Sequence, residues 1–246
     1  MKGKFIVIDG LDGVGKGVFM RALVQAAKND SKRVFDVHTF WGKHGHHPKP
    51  QDIIGNYDIV ITSEPTFVGI GRHIREELIA KNNRKYGSFS VAEAYALDRR
   101  ILYEQVLIPL LEAGIHVFQS RSFSTSIVYQ RQTALDEGIS FDVSQILSIP
   151  GNAFCLQYPM DYLLIPTIMD AAEAVRRSEL RDKDDNCEFE NLNFQLKAKE
   201  QFEHQDFKSI FTNIGTELVY LDAGISVPYS EQQAKEFYNQ KIMKVL

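Results

Sequence analysis

The sequence predicts an α/β fold of three layers, with helices on both faces of a mostly parallel sheet of about five strands. Three observations carry this. The chain opens with a short apolar strand, a glycine-rich turn and a helical stretch, all within thirty residues, which is the start of a βαβ unit. Short apolar runs then alternate with amphipathic stretches to the end of the chain. No internal repeat or low-complexity linker interrupts the 246 residues, of which 44% are hydrophobic, so one domain with a sizeable core is expected.

The strands read in order as Lys4 to Asp9, Tyr57 to Thr62, Ile115 to Gln119, Tyr162 to Ile165 and Leu218 to Leu221. Each is a short apolar run bounded by glycine or polar residues, the pattern of a strand buried on both faces. Helical periodicity covers Val18 to Ala27, about Ile70–Ala80, Val91–Leu111, Asp170–Arg181, Phe194–Phe211 and Ser230–Lys244. Thr39 to Gly55 has glycines, prolines and histidines in place of periodicity, so it reads as an excursion, an insertion near 40–55. Ligands of such sheets bind beyond the carboxyl ends of the strands, where function is to be sought.

Composition excludes several classes. A formal charge of −4 argues against a coat for nucleic-acid polymers or a basic membrane anchor. No stretch approaches the roughly 18 apolar residues of a membrane helix. Cys155 and Cys187 have no metal-binding spacing and read as free thiols in a reducing cytoplasm, the expected location.

The strongest motif is Gly10-Leu11-Asp12-Gly13-Val14-Gly15-Lys16, a G-x-x-x-x-G-K string directly after a strand and before a helix. Glycines let backbone N–H groups turn toward phosphate oxygens, and the helix N-terminus adds partial positive charge. Lys16 is expected on the terminal phosphates, with Gly17 and Val18 continuing the cradle. The Ser/Thr that normally follows the lysine and holds Mg²⁺ is Gly17, so the metal would rely on water, phosphate and a carboxylate elsewhere. Asp9 and Asp12 are the nearest candidates; either is also a plausible turn-stabilising carboxylate.

Further landmarks resemble the thymidylate kinase family, over roughly residues 1–240. Ile8-Asp9-Gly10-Leu11-Asp12-Gly13-Val14-Gly15-Lys16 is similar to its phosphate loop, and Thr62-Ser63-Glu64-Pro65 to its T-R-E-P element. Tyr95-Ala96-Leu97-Asp98-Arg99 matches its aromatic-A-x-D-R string, while Ser120-Arg121-Ser122 through Val128-Tyr129-Gln130 is similar to its D-R-Y/H … A-Y-Q segment. The resemblance implies a P-loop nucleoside-monophosphate kinase with ATP and Mg²⁺ as cofactors, nucleotides as its small-molecule substrates, and a homodimer to which Val91–Leu111 contributes.

The resemblance also assigns roles. Tyr95 would stack on the base and Arg99, one helical turn on, would bond its exocyclic oxygen; the plainer alternative is a core tyrosine with an arginine solvated or paired to Asp98. Arg121 would clamp the acceptor phosphate and Tyr129 would pack on the sugar. Asp12 would hold the 3′-hydroxyl or orient the metal. Ser126 and Gln130 complete the acceptor set, and Glu64, at a strand's carboxyl end, joins Asp9 and Asp12 as a metal candidate. The residues near 176–190 also read by themselves as a lid: Arg177 and Arg181, four apart, share a helical face with Arg176 beside them and would meet the transferring phosphate, or would form a solvated charged face.

Departures from the family pattern are Ser63 for an arginine, and Ser120 and Ser122 for the acid and aromatic beside Arg121. They leave two rivals to dTMP phosphorylation: a kinase for another nucleotide or nucleoside, and a nucleotide-binding regulatory protein without turnover. His44, His46 and His47, with His38 nearby, read as a solvated loop before a zinc site, since no partner set completes a tetrahedron.

Overall fold

In the computed structural model, which describes residues 2–179 and 191–243, six strands form one sheet. They are β1 (Phe5–Ile8), β2 (Val34–Asp36), β3 (Ile59–Ser63), β4 (His116–Ser120), β5 (Tyr162–Thr167) and β6 (Glu217–Asp222). Their order is β2-β3-β4-β1-β5-β6, and every neighbouring pair is parallel. The register sets Ile8 level with Ser120 and Ser120 level with Ser63, so β1, β3 and β4 end together. All four residues of β1 are buried, as a central strand covered on both faces requires.

The helices are α1 (Lys16–Asn29), α2 (Val37–His44), α3 (Pro50–Ile53), α4 (Gly69–His73), α5 (Ser88–Leu102), α6 (Ile108–Glu112), α7 (Phe123–Asp136), α8 (Val143–Ser148) and α9 (Pro150–Cys155), followed by α10 (Ala171–Glu179), α11 (Leu192–Glu203), α12 (Gln205–Asn213) and α13 (Val227–Phe237). A single π-helical stretch extends each of α4, α5 and α13. No helix among the described residues is long and apolar enough to cross a membrane.

The structure corrects several expectations. There are six strands, not five: β2 is three residues of an edge strand, too short for a period-2 pattern to register. The stretch from Thr39 is not an irregular excursion. Asp36 caps α2 by accepting the His38 amide, Trp41 on that helix is buried, and Pro50 starts α3. The long helix expected over Val91–Leu111 is α5, a π-helical stretch and α6, because Pro109 has no N–H to continue the α pattern. Phe194–Phe211 divides at His204, whose extended backbone ends α11 and whose Nδ1 accepts from Asp206 N to cap α12. Helix α7 was not foreseen. Its first eight residues are all buried, hydroxyl and amide side chains included, so no apolar stripe marks it in the sequence.

Candidate active site

The loop between β1 and α1 is shaped by three glycines with positive φ, at 130° for Gly10, 77° for Gly13 and 107° for Gly15. At Gly13 the lack of a side chain is also a packing requirement: a Cβ there would fall 1.7 Å from the Ala174 carbonyl oxygen. Helix α10 therefore rests directly on the phosphate loop. Buried Val14 ties the loop to the core, and the Val18 amide bonds back to Gly15 O at 2.7 Å as α1 begins. Lys16, the first residue of α1, donates through Nζ to Gly10 O at 3.0 Å and Leu11 O at 2.6 Å. Exposed Gly17 has room: a Cβ would meet only the Arg21 guanidinium at 3.4 Å, so no steric demand explains the absent hydroxyl.

Asp12 is the junction of the site. Its carboxylate takes a hydrogen bond and ion pair from Arg121, lies 3.7 Å from Lys16 Nζ, and accepts from the Tyr129 hydroxyl at 3.1 Å. Arg121 follows β4 directly, in the left-handed region at φ 67°. Its guanidinium stands 3.6 Å from Asp9 and over the Tyr129 ring. Burial opposes the Arg121 charge, but Asp12 and its other neighbours, Tyr129 and Asp9 among them, together more than offset it and hold the group above its usual range. Asp9 is wholly buried, accepting from the Gly10 amide and from the Ser124 and Thr125 hydroxyls. Burial and Asp12 together push the Tyr129 phenol well up, so it acts as a donor.

Beyond this junction Arg99 is enclosed. It pairs with Glu64 at 2.6 Å and donates to Asn152 Oδ1 and, at 3.0 Å, to Ser126 Oγ. Gln119 donates to the other Glu64 oxygen at 2.8 Å. Asp98 binds Thr66 through backbone and hydroxyl, not Arg99. Burial pushes the Glu64 carboxyl up, to about 7, while Arg99 and Gln119 pull it down. Tyr95 packs with Ile74 and Val91 in a small apolar cluster. Beside it a cleft of about 180 Å³ opens between Leu78, Ile79, Tyr86, Val91 and Gln130. Gln130 is 2% exposed, and its amide N and O have no hydrogen-bond partner among the described residues.

The expected residues thus fall into a group around the phosphate loop, Asp9, Asp12, Lys16, Arg121 and Tyr129, and a buried network of Glu64, Arg99 and Ser126, while Gln130 alone of the acceptor set lines the cleft. Arg176 lies elsewhere, on the outer surface of α10 in an ion pair with Glu173. Arg177 donates to Ala223 O at 2.9 Å, and Arg181 lies outside the described residues. No group of three or more His, Cys, Asp or Glu side chains among the described residues is placed to hold a metal, the histidines of α2 and its turn included. Glu64 is engaged by Arg99 and Gln119. Asp9 is likewise wholly buried and bonded on both oxygens, which leaves the partly exposed Asp12 as the carboxylate beside the phosphate loop, where Mg²⁺ would be held mostly by phosphate and water.

Sequence reasoning missed several participants. Gln195 on α11 accepts from the Asp12 amide at 3.1 Å and is wholly buried, yet it stands 183 positions away and nothing local marks it. Asn152 reaches Arg99 because α9 packs hard on α5: a Cβ on neighbouring Gly151 would fall 2.1 Å from Ala96 O. Arg75 lies 3.9 Å over the Phe67 ring and donates to Thr66 O at 3.1 Å.

A thymidylate kinase family model matches residues 53–221. The thymidylate kinase of Caldicellulosiruptor saccharolyticus is 29% identical over 202 residues, 82% of each chain. That of Trichodesmium erythraeum is 25% identical over 253 aligned residues, 99% of this chain and 98% of the relative. The match to the thymidylate kinase of Exiguobacterium sp. is 30% identical over 149 residues, 61% of this chain and 56% of that protein.

Proposed function

The chain belongs to the thymidylate kinase family, and on that premise we propose that it transfers the γ-phosphoryl group of ATP to dTMP, giving dTDP. Membership makes it a nucleoside-monophosphate kinase, a transferase that uses ATP. The observation that carries the substrate reading is the position of Asp12, which touches Lys16 of the donor loop and Arg121 and Tyr129 of the acceptor side.

In this reading Lys16 and the backbone of Gly10–Gly17 orient the donor's phosphates. Arg121 places the acceptor phosphate in line, and Asp12 with Tyr129 positions the sugar. Gln130 lines the base end of the cleft, beside Tyr95, and the buried Glu64–Arg99–Ser126 network anchors α5 and α7 behind it. Bound Mg²⁺ would neutralise charge on the donor phosphates, with Asp12 the carboxylate at hand. The protein contributes position and fixed charge, the two effects phosphoryl transfer needs most. Arginines of the lid segment, Arg181 among them, belong to the same proposal. So do a homodimer formed through α5, which exposes Leu97 and Phe89, and a cytoplasmic location.

Product formation with ATP, Mg²⁺ and a panel of nucleoside monophosphates tests the reading. Selective turnover of dTMP, lost at least about a hundredfold in Lys16→Ala, supports it. Selective turnover of another acceptor moves the specificity. ATP binding without transfer to any acceptor defeats it.

A further inference from the structure

Ser63, at the end of β3, stands where the family pattern has arginine, and its hydroxyl is tied into a short chain of hydrogen bonds. His38 Nε2 lies 2.8 Å from Ser63 Oγ, and His38 Nδ1 lies 2.8 Å from Asp36 Oδ1. The same Asp36 oxygen accepts the His38 amide at 2.9 Å, so the carboxylate is fixed by the cap of α2. Ser63 is level with Ser120, the residue before Arg121, so this chain ends at the carboxyl edge of the sheet, one strand away from Arg121.

The chemistry of the chain is asymmetric. Ionised Asp36 keeps a proton on Nδ1. When the imidazole is neutral, Nε2 is bare and the Ser63 hydroxyl must donate to it, leaving only lone pairs toward any third partner. When the imidazole is protonated, Nε2–H donates into Ser63 Oγ, and the hydroxyl hydrogen is released to a third partner. We propose that Ser63 binds the phosphate of the acceptor nucleotide and that the protonation of His38 decides whether it does so as a donor.

The surroundings of His38 are largely aromatic. His38 packs edge-on against buried Trp41 and against Phe67, with ring centroids 5.4 and 5.8 Å away. The charged groups about it are Asp36, which faces Nδ1, and Arg75, which lies beyond the Phe67 ring. His47 reaches Trp41 from its far edge. Asp36 is held below its ordinary range by the His38 hydrogen bond, so it stays ionised across neutral pH.

The proposal rests on the phosphotransfer reading for its ligand. Calorimetric titration with dTMP from pH 5.5 to 8 tests it on wild type, His38→Gln, Ser63→Ala and Asp36→Asn, with thymidine as the phosphate-free control. The acceptor's own second ionisation near pH 6 affects every variant alike, so differences between variants are read. Wild type should weaken about tenfold more than His38→Gln across this range, because the Gln amide donates to Ser63 at every pH. Ser63→Ala should bind weakly throughout. Asp36→Asn, which keeps a capping side chain, should lose affinity at the acid end. Thymidine should show no such dependence. Parallel profiles for wild type and His38→Gln, or full affinity of Ser63→Ala at pH 5.5, overturn the proposal. Failure of the kinase reading shows separately, as no turnover by wild type; the titration is then decided with inorganic phosphate by the same two comparisons.

Discussion

Arg99 and Glu64 form an ion pair of 2.6 Å from Nε to Oε2 in which neither side chain is more than 3% exposed. The pair joins α5 to the loop after β3, and Asn152, Ser126 and Gln119 satisfy its remaining polar atoms. Burial works against the Arg99 charge, but Glu64 offsets it and the guanidinium stays above its usual range. Removing one partner strands the other in a site closed to solvent.

Glu64→Ala should therefore destabilise the fold by about 3–5 kcal/mol. Glu64→Leu with Arg99→Met, which removes both charges and keeps volume, should recover most of that loss. Urea denaturation of the two variants decides this. A double variant no more stable than Glu64→Ala would mean that Asn152 and Ser126, not charge, dominate the site.

Gly13→Ala should damage the phosphate loop from two directions. The positive φ costs about 1–2 kcal/mol for an L side chain, and the added methyl meets the Ala174 carbonyl, so α10 must move off the loop. ATP affinity should fall at least about tenfold, with a lower melting temperature. Gly17→Ser, where the structure leaves space, should keep both close to wild type. Calorimetric ATP titration and thermal melts compare the two.

Trp41, the single tryptophan of the chain, donates from Nε1 to His47 Nδ1 at 3.2 Å. Burial and neighbouring His46 lower His47 to about 4. A histidine depressed in the folded state contributes stability above its unfolded value near 6.5. That contribution is lost as pH falls from there through about 4. Protonated His47 has no acceptor for the indole, so Trp41 emission should change with a midpoint near 4, before global unfolding. In His47→Phe that step should vanish while the rest of the acid transition remains.

Cys155 is fully buried beneath the Arg99 network, and burial pushes its thiol well up. In a Cys187→Ser background a thiol reagent should react with Cys155 only on the timescale of unfolding, and at once in denaturant. Fast reaction of the native protein would show that α9 opens from α5 locally.

Elements made of uninterrupted apolar runs were legible in the sequence. Five of the six strands and the glycine loop follow from local rules: β-branched residues in short runs, and glycines where the backbone must turn back on itself. Lys16 and Arg121 follow strands of one parallel sheet, which collects its loops at one edge, and the family resemblance adds Tyr129. Helix α7 and strand β2 were not legible. One is buried all round over its first eight residues and the other is three residues long, so neither carries a clear periodic signal.

By itself the sequence determined the sheet, the phosphate loop and the kinship, all of which rest on contiguous residues. Tertiary structure alone decided which partners those residues take. Arg99 turns inward to Glu64, Gln195 crosses 183 positions to reach Asp12, and His38 bridges Asp36 to Ser63. The physical reason is that a buried charge or hydroxyl must find its partner in space, whatever the distance along the chain. Packing of α5, α7, α9 and α11 on one another decides which partner is within reach.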